Sequence, residues 1–316
     1  MPYKLSVGVD PRIELLSAIE LLAGWNRIKH YWYTHEMAEY LRPYSNHPAV
    51  RLFRELNAFR SDAAVRFVLC LSSPPLLSYE TKPPADIVQR AKNLENLESF
   101  RKLLISFYED TNFSEFLHKN SAFYSTIKKK TEGVLKGDET IRRFEDYYGV
   151  KYDNYYVILS PATAHGNYGG DVGAKEKKIS AILCVSDMDA NLPRFQTQVL
   201  FHEFSHSVIN PITDELLEKT LKNGKTLFDK VKEPMNKMNY NNLETIITET
   251  IIRACDIKVN EHKWVGSALD REQGQGFLYI KPVFEILTEY ESNRGRYKTF
   301  EDFYPKIVLL LGSIAV

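Results

Sequence analysis

The chain has 316 residues, 44% of them hydrophobic, and its 41 basic residues are matched by 41 acidic ones. A chain of this length supports one large domain or two smaller ones with a real apolar core, so it does not depend on disulfides for stability. The balanced charge argues against a nucleic-acid-binding protein, which usually carries a basic excess or a basic stripe.

Neither a membrane span nor a secretion signal is visible in the sequence. No run of 18 apolar residues occurs, so no transmembrane helix and no membrane partner are expected. The first ten residues lack the basic and then apolar segments of a signal peptide. We therefore expect a cytoplasmic protein, although a secreted chain whose signal had been removed would look the same. The three cysteines, Cys70, Cys184 and Cys255, lie far apart and are expected to be free thiols.

Residues 1–150 are predicted to form a mainly helical N-terminal region. The segment from Lys4 to Val9 has the composition of a short strand. Pro11 then opens a helix whose apolar residues recur at helical spacing until Gly24 stops it. Further helical patterns cover residues 47–58, 62–72, 97–110, 113–130 and 139–148.

The pattern changes over residues 151–316. Residues 155–160 (YYVILS) and 179–185 (ISAILCV) are rich in β-branched and aromatic side chains, which predicts two strands. A helix is expected over residues 193–208, because Asn210-Pro211 should end it. Later helices are predicted near residues 243–258, 277–291 and 300–311.

The helix over residues 193–208 contains the string His202-Glu203-Phe204-Ser205-His206. Histidines four positions apart lie on one face of a helix, about one turn apart, so both imidazoles can bind one ion. Zinc prefers nitrogen and oxygen ligands, and a catalytic zinc site keeps one position open for water. We therefore predict one Zn²⁺ per chain on His202 and His206. Glu203 is then the general base that takes a proton from the water and later gives it to the leaving amine.

A third metal ligand is needed, and two established patterns do not supply it. Ile209 and Ile212 stand where the metzincin pattern requires Gly and His. Lys225 stands where the aminopeptidase-type pattern requires Glu. The predicted helix over residues 243–258 offers two carboxylates instead, Glu244 and Glu249.

Glu249 is the favoured third ligand, because Arg253 follows it by four residues and can pair with its carboxylate and orient it. Asp256 lies on the same helix face and can accept a hydrogen bond from a ligand histidine. The alternative third ligands are Glu244, Asp214, Glu215 and Glu218.

Hydrolysis of a carbonyl places negative charge on the substrate oxygen, and a second hydrogen-bond donor usually stabilises it. The candidates are Tyr168 and His165 in the loop AHGNYGG, Tyr156 on the preceding strand, and Tyr279 near the C-terminus. The glycines of that loop would let its backbone approach a substrate closely. Arg253 could alternatively contact a substrate carboxylate.

These residues predict a zinc-dependent peptidase of the HExxH class that acts on a peptide or protein substrate. The strand over residues 179–185 comes just before the motif helix, and an edge strand there could pair with an extended substrate backbone. Two other functions stay open: a metallohydrolase of a non-peptide amide or ester, and a binding scaffold without catalysis. Glu203 favours catalysis, because a purely structural zinc site has no use for a carboxylate beside its ligand.

The string LFHEFSHSVINP, followed by ETIIRA on the later helix, resembles a family of largely uncharacterised bacterial zinc metallopeptidases. The segments VDPRIELLSAIELLAG and FLYIKPVFEILTEYE are similar to the two ends of that family, so the resemblance covers most of the chain. It implies a gluzincin-like site with two histidines and a glutamate on the next long helix. The best-known gluzincins carry an acidic residue four positions after the ligand glutamate, where this chain has Arg253.

Together the patterns predict an α+β fold that is mainly helical. A small, mostly antiparallel sheet built around residues 155–185 is expected to pack on the motif helix, as in zincins. Residues 1–150 would form the helical N-terminal region, and residues 151–316 the metal-binding catalytic region. The two regions can also form one continuous domain.

Overall fold

The computed structural model describes residues 3–25, 32–59, 62–163, 167–171, 178–185, 192–220, 224–238, 240–260 and 263–314. The chain forms two compact units. The first comprises Met1–Gly137 and Tyr152–Val199, and the second comprises Asp138–Lys151 and Leu200–Val316.

Helices form most of the first unit. Their starts follow local capping chemistry: the Asp10 carboxylate accepts a 2.8 Å hydrogen bond from the backbone N–H of Arg12, and Pro11 occupies the first helical turn. The helices are α1 (Pro11–Leu22), α2 (Trp32–Leu41), α3 (Pro48–Glu55), α4 (Asp62–Leu69), α5 (Ala85–Arg90), α6 (Leu94–Asp110), α7 (Phe113–Lys119) and α8 (Ser121–Leu135).

The first unit also contains a sheet of four strands, β1 (Lys4–Val9), β2 (Asn154–Ser160), β3 (Tyr168–Asp171) and β4 (Lys178–Cys184). Their order across the sheet is β1-β2-β4-β3. The β1–β2 and β2–β4 pairs are parallel, whereas β3 and β4 are antiparallel. The sheet is therefore mixed, and the predicted mostly antiparallel sheet is wrong.

Burial of the inner strands explains this difference. Residues 179–183 of β4 and 157–160 of β2 are buried without interruption. Continuous apolar runs are typical of parallel strands covered on both faces, whereas antiparallel strands with one wet face alternate. Because β4 lies between β2 and β3, it is not an edge strand. The prediction that this segment pairs with substrate as an edge strand is also wrong.

A polar cluster lies inside the core of the first unit. Glu14 of α1 is fully buried. Its Oε2 accepts a 2.5 Å hydrogen bond from the phenol of Tyr33, and its Oε1 accepts one of 2.5 Å from Ser160 at the end of β2. The Tyr33 phenol is also hydrogen-bonded to that of Tyr124. These bonds satisfy a buried carboxyl and join α1, α2, α8 and β2.

The described part of the second unit is helical. Aromatic rings connect its first two helices: Phe144 lies 5.8 Å from Phe204, and Tyr148 lies 5.8 Å from Phe201, measured between ring centroids. The helices are α9 (Thr140–Tyr148), α10 (Leu192–Thr220, which begins in the first unit), α11 (Gly224–Lys237), α12 (Leu243–Asn260), α13 (Val265–Gly274), α14 (Ile280–Ser292) and α15 (Phe300–Ile314).

Helix α10 continues past Asn210-Pro211, so the predicted end of this helix is wrong. A proline inside a helix removes one backbone hydrogen bond. Packing on both sides of the proline offsets that loss: Ile209 and Thr213 are fully buried, and the phenol of Tyr304 is hydrogen-bonded to Thr213 Oγ1 at 2.7 Å. Tertiary contacts therefore override the local stop signal.

The fold is mainly helical with a small sheet, which confirms the predicted α+β class. The zincin-like packing of the sheet on the motif helix stays a prediction. Within the described ranges, no helix has both the length and the apolar character needed to cross a bilayer.

Candidate metal centre

Helix α10 presents two histidines on one face. The ring centroids of His202 and His206 lie 5.2 Å apart, as their four-residue spacing predicts. On the other side of the helix Phe201 and Phe204 are fully buried against α9. This apolar side anchors the helix and leaves the two imidazoles partly accessible, 17% and 15% exposed.

Glu249 of α12 faces both imidazoles. Its Oε2 lies 3.7 Å from Nε2 of His202, and its Oε1 lies 3.5 Å from Nε2 of His206. One ligand atom from each of the three residues falls within 4.8 Å of the others. Two imidazole nitrogens and a carboxylate oxygen are a donor set that metal ions such as zinc accept. The group could therefore hold a metal ion.

The far side of each imidazole is already occupied by an acceptor. Nδ1 of His202 lies 2.8 Å from Oδ2 of Asp256, and Nδ1 of His206 lies 3.1 Å from Oδ1 of Asn210. An acceptor at Nδ1 keeps the proton on that nitrogen and leaves the lone pair on Nε2. Both Nε2 atoms are thus prepared to bind a cation, and both lie toward Glu249.

Arg253 holds the Glu249 carboxylate from the other side. Its Nε lies 3.3 Å from Oε2 of Glu249, and its Nη1 donates to Oε2 of Glu272 at 2.9 Å. Oε2 of Glu249 nevertheless is a buried atom that accepts no hydrogen bond from the described residues. A buried carboxylate with so few hydrogen bonds relies on positive charge nearby, which the guanidinium and a bound cation can supply together.

The charges of the centre favour bound positive charge. Burial works to lower the pKa of His202, but the hydrogen bond and charge of Asp256, with the charge of Glu249, raise it to about 9. Burial works to raise the pKa of Glu249, but the two imidazoles and Arg253 bring it below its usual value. The carboxylate is therefore ionised, and the imidazole of His202 holds positive charge strongly when no metal is bound.

Glu203 differs from Glu249. It follows His202 directly, its side chain is 5% exposed, and burial raises its pKa to about 8. The charges of Glu249 and Asp256 add to this increase, whereas His202 opposes it. A carboxyl group whose pKa lies near neutrality can both accept and release a proton, which suits general acid–base catalysis.

The structure gives the surroundings of several other predicted site residues. The phenol of Tyr279 donates to the backbone carbonyl of Leu227 at 2.8 Å, so it serves packing in the second unit. Tyr168 lies on β3 and packs against the core of the first unit. His165 lies outside the described residues. Glu244 and Glu215 are exposed. The side chains of Asp214 and Glu218 fall outside the described parts of the chain.

Tyr240, which sequence analysis missed, is close to the centre. Its ring lies 6.0 Å from that of Phe277, and the charges of Glu249 and Arg253 both act on its phenol. A phenol O–H is a hydrogen-bond donor, so Tyr240 places a donor group near the carboxylates and imidazoles of the centre. Burial, followed by the charge of Glu249, raises the pKa of Tyr240 to about 12 and keeps that proton in place.

Asn210 was also missed as a support for His206. The sequence does place Asn210 four residues after His206, which is one helical turn. Because the predicted helix ended at residue 208, this spacing was not recognised. Tyr240 had no comparable signal, since no helical spacing relates a residue before α12 to the motif.

A family model described as "Domain of unknown function (DUF4932)" matches residues 49–310, a span that includes His202, His206 and Glu249. This description states no activity, so the resemblance to zinc metallopeptidases stays a prediction. No curated protein and no solved structure matches the chain.

Proposed function

The chain belongs to the family described as a domain of unknown function (DUF4932), and we propose that it is a zinc-dependent hydrolase that cleaves peptide bonds. One observation carries the proposal. Nε2 of His202 and Nε2 of His206 face the Glu249 carboxylate, while Nδ1 of each ring is occupied by Asp256 or Asn210. Such outer hydrogen bonds orient metal-binding histidines and fix their tautomer.

Zinc is the metal that this donor set suits best. Two imidazoles and one carboxylate, with a fourth position for water or substrate, are the ligands of many catalytic zinc sites. Imidazole nitrogen also disfavours Mg²⁺ and Ca²⁺, which prefer oxygen ligands. A bound zinc ion would lower the pKa of a water molecule and polarise the carbonyl group of the substrate.

Glu203 performs the proton transfers in this proposal. Its carboxylate takes a proton from the attacking water as the water oxygen bonds to the carbonyl carbon of the substrate. When the carbon–nitrogen bond breaks, Glu203 gives that proton to the leaving amine. The elevated pKa supports this role, because the carboxyl group holds the proton between the two transfers.

Tyr240 is the residue that we propose as the second donor to the substrate oxygen. Its phenol lies close enough to Glu249 and Arg253 for their charges to act on it, and its O–H can donate to a carbonyl oxygen that gains negative charge. This replaces Tyr279, whose O–H is already bonded to the carbonyl of Leu227.

A non-peptide amide or ester is the second candidate substrate, because the same residues hydrolyse any carbonyl that reaches them. A binding scaffold without catalysis is the third candidate. Support for peptides comes from the HExxH string and its resemblance to metallopeptidases, which is an analogy of sites rather than of substrates.

The test combines metal content with cleavage. Zinc-loaded wild type, Glu203→Gln and Glu244→Gln are assayed on fluorescently labelled casein, a mixture of quenched peptides, and small ester and anilide probes. We expect wild type and Glu244→Gln to cleave the casein or the peptides. Glu203→Gln should keep its zinc and lose about 10²–10⁴-fold in rate.

Three other outcomes would each change one part of the proposal. Cleavage of only the ester or anilide probes would replace the peptide substrate with a non-peptide one. Zinc uptake without cleavage of any probe would favour the binding scaffold. A Glu203→Gln enzyme with the wild-type rate would remove Glu203 from the mechanism.

A further inference from the structure

We propose that Arg253, anchored by Glu272, is a positioning residue that holds Oε2 of Glu249 and leaves Oε1 as the oxygen that binds the metal ion. This inference rests on the proposed metal centre but not on any activity. It concerns the position where the best-known gluzincins carry an acidic residue and this chain carries the opposite charge.

The geometry distinguishes the two oxygens of Glu249. Its carboxylate faces both imidazoles, with Oε1 3.5 Å from Nε2 of His206 and Oε2 3.7 Å from Nε2 of His202. The closest approach of the guanidinium is to Oε2, which lies 3.3 Å from Nε of Arg253. The guanidinium therefore competes with the ion chiefly for Oε2.

Arg253 is itself rigidly held. Its Nη1 donates to Oε2 of Glu272 at 2.9 Å, and its Cζ lies 4.5 Å from the ring centroid of Phe277. The side chain of Arg253 is 23% exposed and that of Glu272 is 6% exposed. A planar guanidinium fixed by a carboxylate and an aromatic face has little freedom to swing away.

The negative charge of Glu272 balances the positive charge that Arg253 brings to the centre. An uncompensated cation beside a metal site would repel the ion. Because Glu272 carries the opposite charge, the Arg253–Glu272 pair can orient Glu249 without adding net positive charge to the centre. This arrangement gives Arg253 the orienting function that an outer carboxylate has in other metal sites.

Positioning and simple electrostatics predict opposite results when Arg253 is removed. If Arg253 acted only by its charge, its loss would tighten zinc binding. If it holds the carboxylate, its loss would weaken zinc binding by about 10–100-fold, the usual effect of losing an outer partner of a metal ligand. It would also allow Glu249 to bind with both oxygens.

The experiment uses four proteins: wild type, Arg253→Gln, the double variant Arg253→Met/Glu272→Met, and Arg271→Gln. The double variant removes Glu272 together with Arg253, so Glu272 is not left as a buried unpaired charge; apolar residues of similar size often replace a buried ion pair without loss of stability. Arg271 is the matched control. It also binds Glu272, with 3.0 Å between Nη2 and Oε1, but is 57% exposed.

Two readouts are measured on protein whose fold is verified by circular dichroism. Zinc affinity is obtained by competition with a chromogenic chelator, and coordination is followed by the visible absorption of the Co²⁺ form. That absorption weakens as the coordination number of Co²⁺ rises above four. We expect both Arg253 variants to bind zinc more weakly and to show weaker Co²⁺ absorption, while Arg271→Gln matches wild type.

Two results would overturn the inference, and they are distinguishable. Folded Arg253 variants that bind zinc as tightly as wild type or more tightly, with an unchanged Co²⁺ spectrum, would refute the positioning role alone. A wild-type protein that takes up neither zinc nor Co²⁺ would refute the metal centre itself, and the positioning role with it.

Discussion

Oδ2 of Asp256 lies 2.8 Å from Nδ1 of His202, so a residue of α12 supports a ligand carried by α10. The same helix carries Glu249, the proposed third ligand, two turns earlier on the same face. His206 is supported differently, by the neutral amide of Asn210 on its own helix. His202 therefore receives the additional basicity that a carboxylate at Nδ1 gives an imidazole.

This asymmetry predicts the effect of Asp256→Asn. The amide oxygen can still accept from Nδ1, but it carries no charge, so His202 becomes a weaker ligand. We expect the zinc affinity to fall by about 10-fold, and by about 100-fold in Asp256→Ala, where the partner is lost. Chelator competition measures both. Asp270→Asn, at an exposed ion pair with Lys281, is the control and should bind zinc like wild type. An Asp256→Asn protein with wild-type affinity would contradict this support.

The third ligand is tested by metal content. Elemental mass spectrometry should find about one zinc per chain in wild type and in Glu244→Ala, because Glu244 is exposed. Glu249→Ala should lose most of its zinc, since two imidazoles alone make an incomplete site. Loss of zinc from Glu244→Ala with retention in Glu249→Ala would reverse the assignment.

The ligands were predictable because their spacing is a local property of helices. His202 and His206 lie four apart, and Glu249, Arg253 and Asp256 share a face of one helix, so the sequence brings each set together before any tertiary contact forms. The pairing of the two helices was inferred only from the chemistry, because a metal site needs a third ligand.

The strand pairing, the length of α10 and the position of Tyr240 depend on tertiary packing, which is harder to predict from sequence. The parallel pairing of β2 and β4 was indicated by their unbroken apolar runs, but such runs do not name their partners. The length of α10 was underestimated because Pro211 is a local signal for a helix end. Burial of Ile209 and Thr213 overrides that signal. Tyr240 is brought to the centre by a turn between helices, and no periodicity in the sequence marks it.

Tyr240→Phe tests the second donor. The substitution keeps the ring that lies 6.0 Å from Phe277 and removes only the hydroxyl. Zinc affinity should stay within about 2-fold, while kcat on a cleaved peptide should fall by about 10²–10³-fold with little change in KM, as for loss of an oxyanion donor. Tyr279→Phe is the matched control, because its hydroxyl is bonded to the Leu227 carbonyl. Equal rates for Tyr240→Phe and wild type would exclude the donor role.

The buried carboxyl of Glu14 leads to a prediction about how stability depends on pH, and this prediction does not involve a metal. Burial raises its pKa to about 7, although Ser160 and Tyr33 donate hydrogen bonds that oppose the increase, and the charge of Asp10 adds to it. The folded protein therefore keeps Glu14 protonated over a pH range in which the unfolded chain has already released the proton.

The sign follows from this difference. Below a pH of about 4.5 the folded and unfolded states both hold the proton, so the ionisation of Glu14 does not lower the free energy of unfolding. Between about 4.5 and 7 the unfolded chain releases its proton first, so the free energy of unfolding falls as the pH rises. Above about 7 the loss is complete, and it amounts to about 3 kcal/mol.

Glu14→Gln cannot ionise and should lack this loss. Urea unfolding of both proteins, with chelator present to remove metal, should show wild type losing stability relative to Glu14→Gln as the pH rises from about 4.5 to 7.5. The exposed residue Glu80, changed to Gln, is the control and should follow wild type. If the difference between wild type and Glu14→Gln stayed constant over this range, the carboxyl of Glu14 would have to be ionised in the folded protein, in spite of its burial.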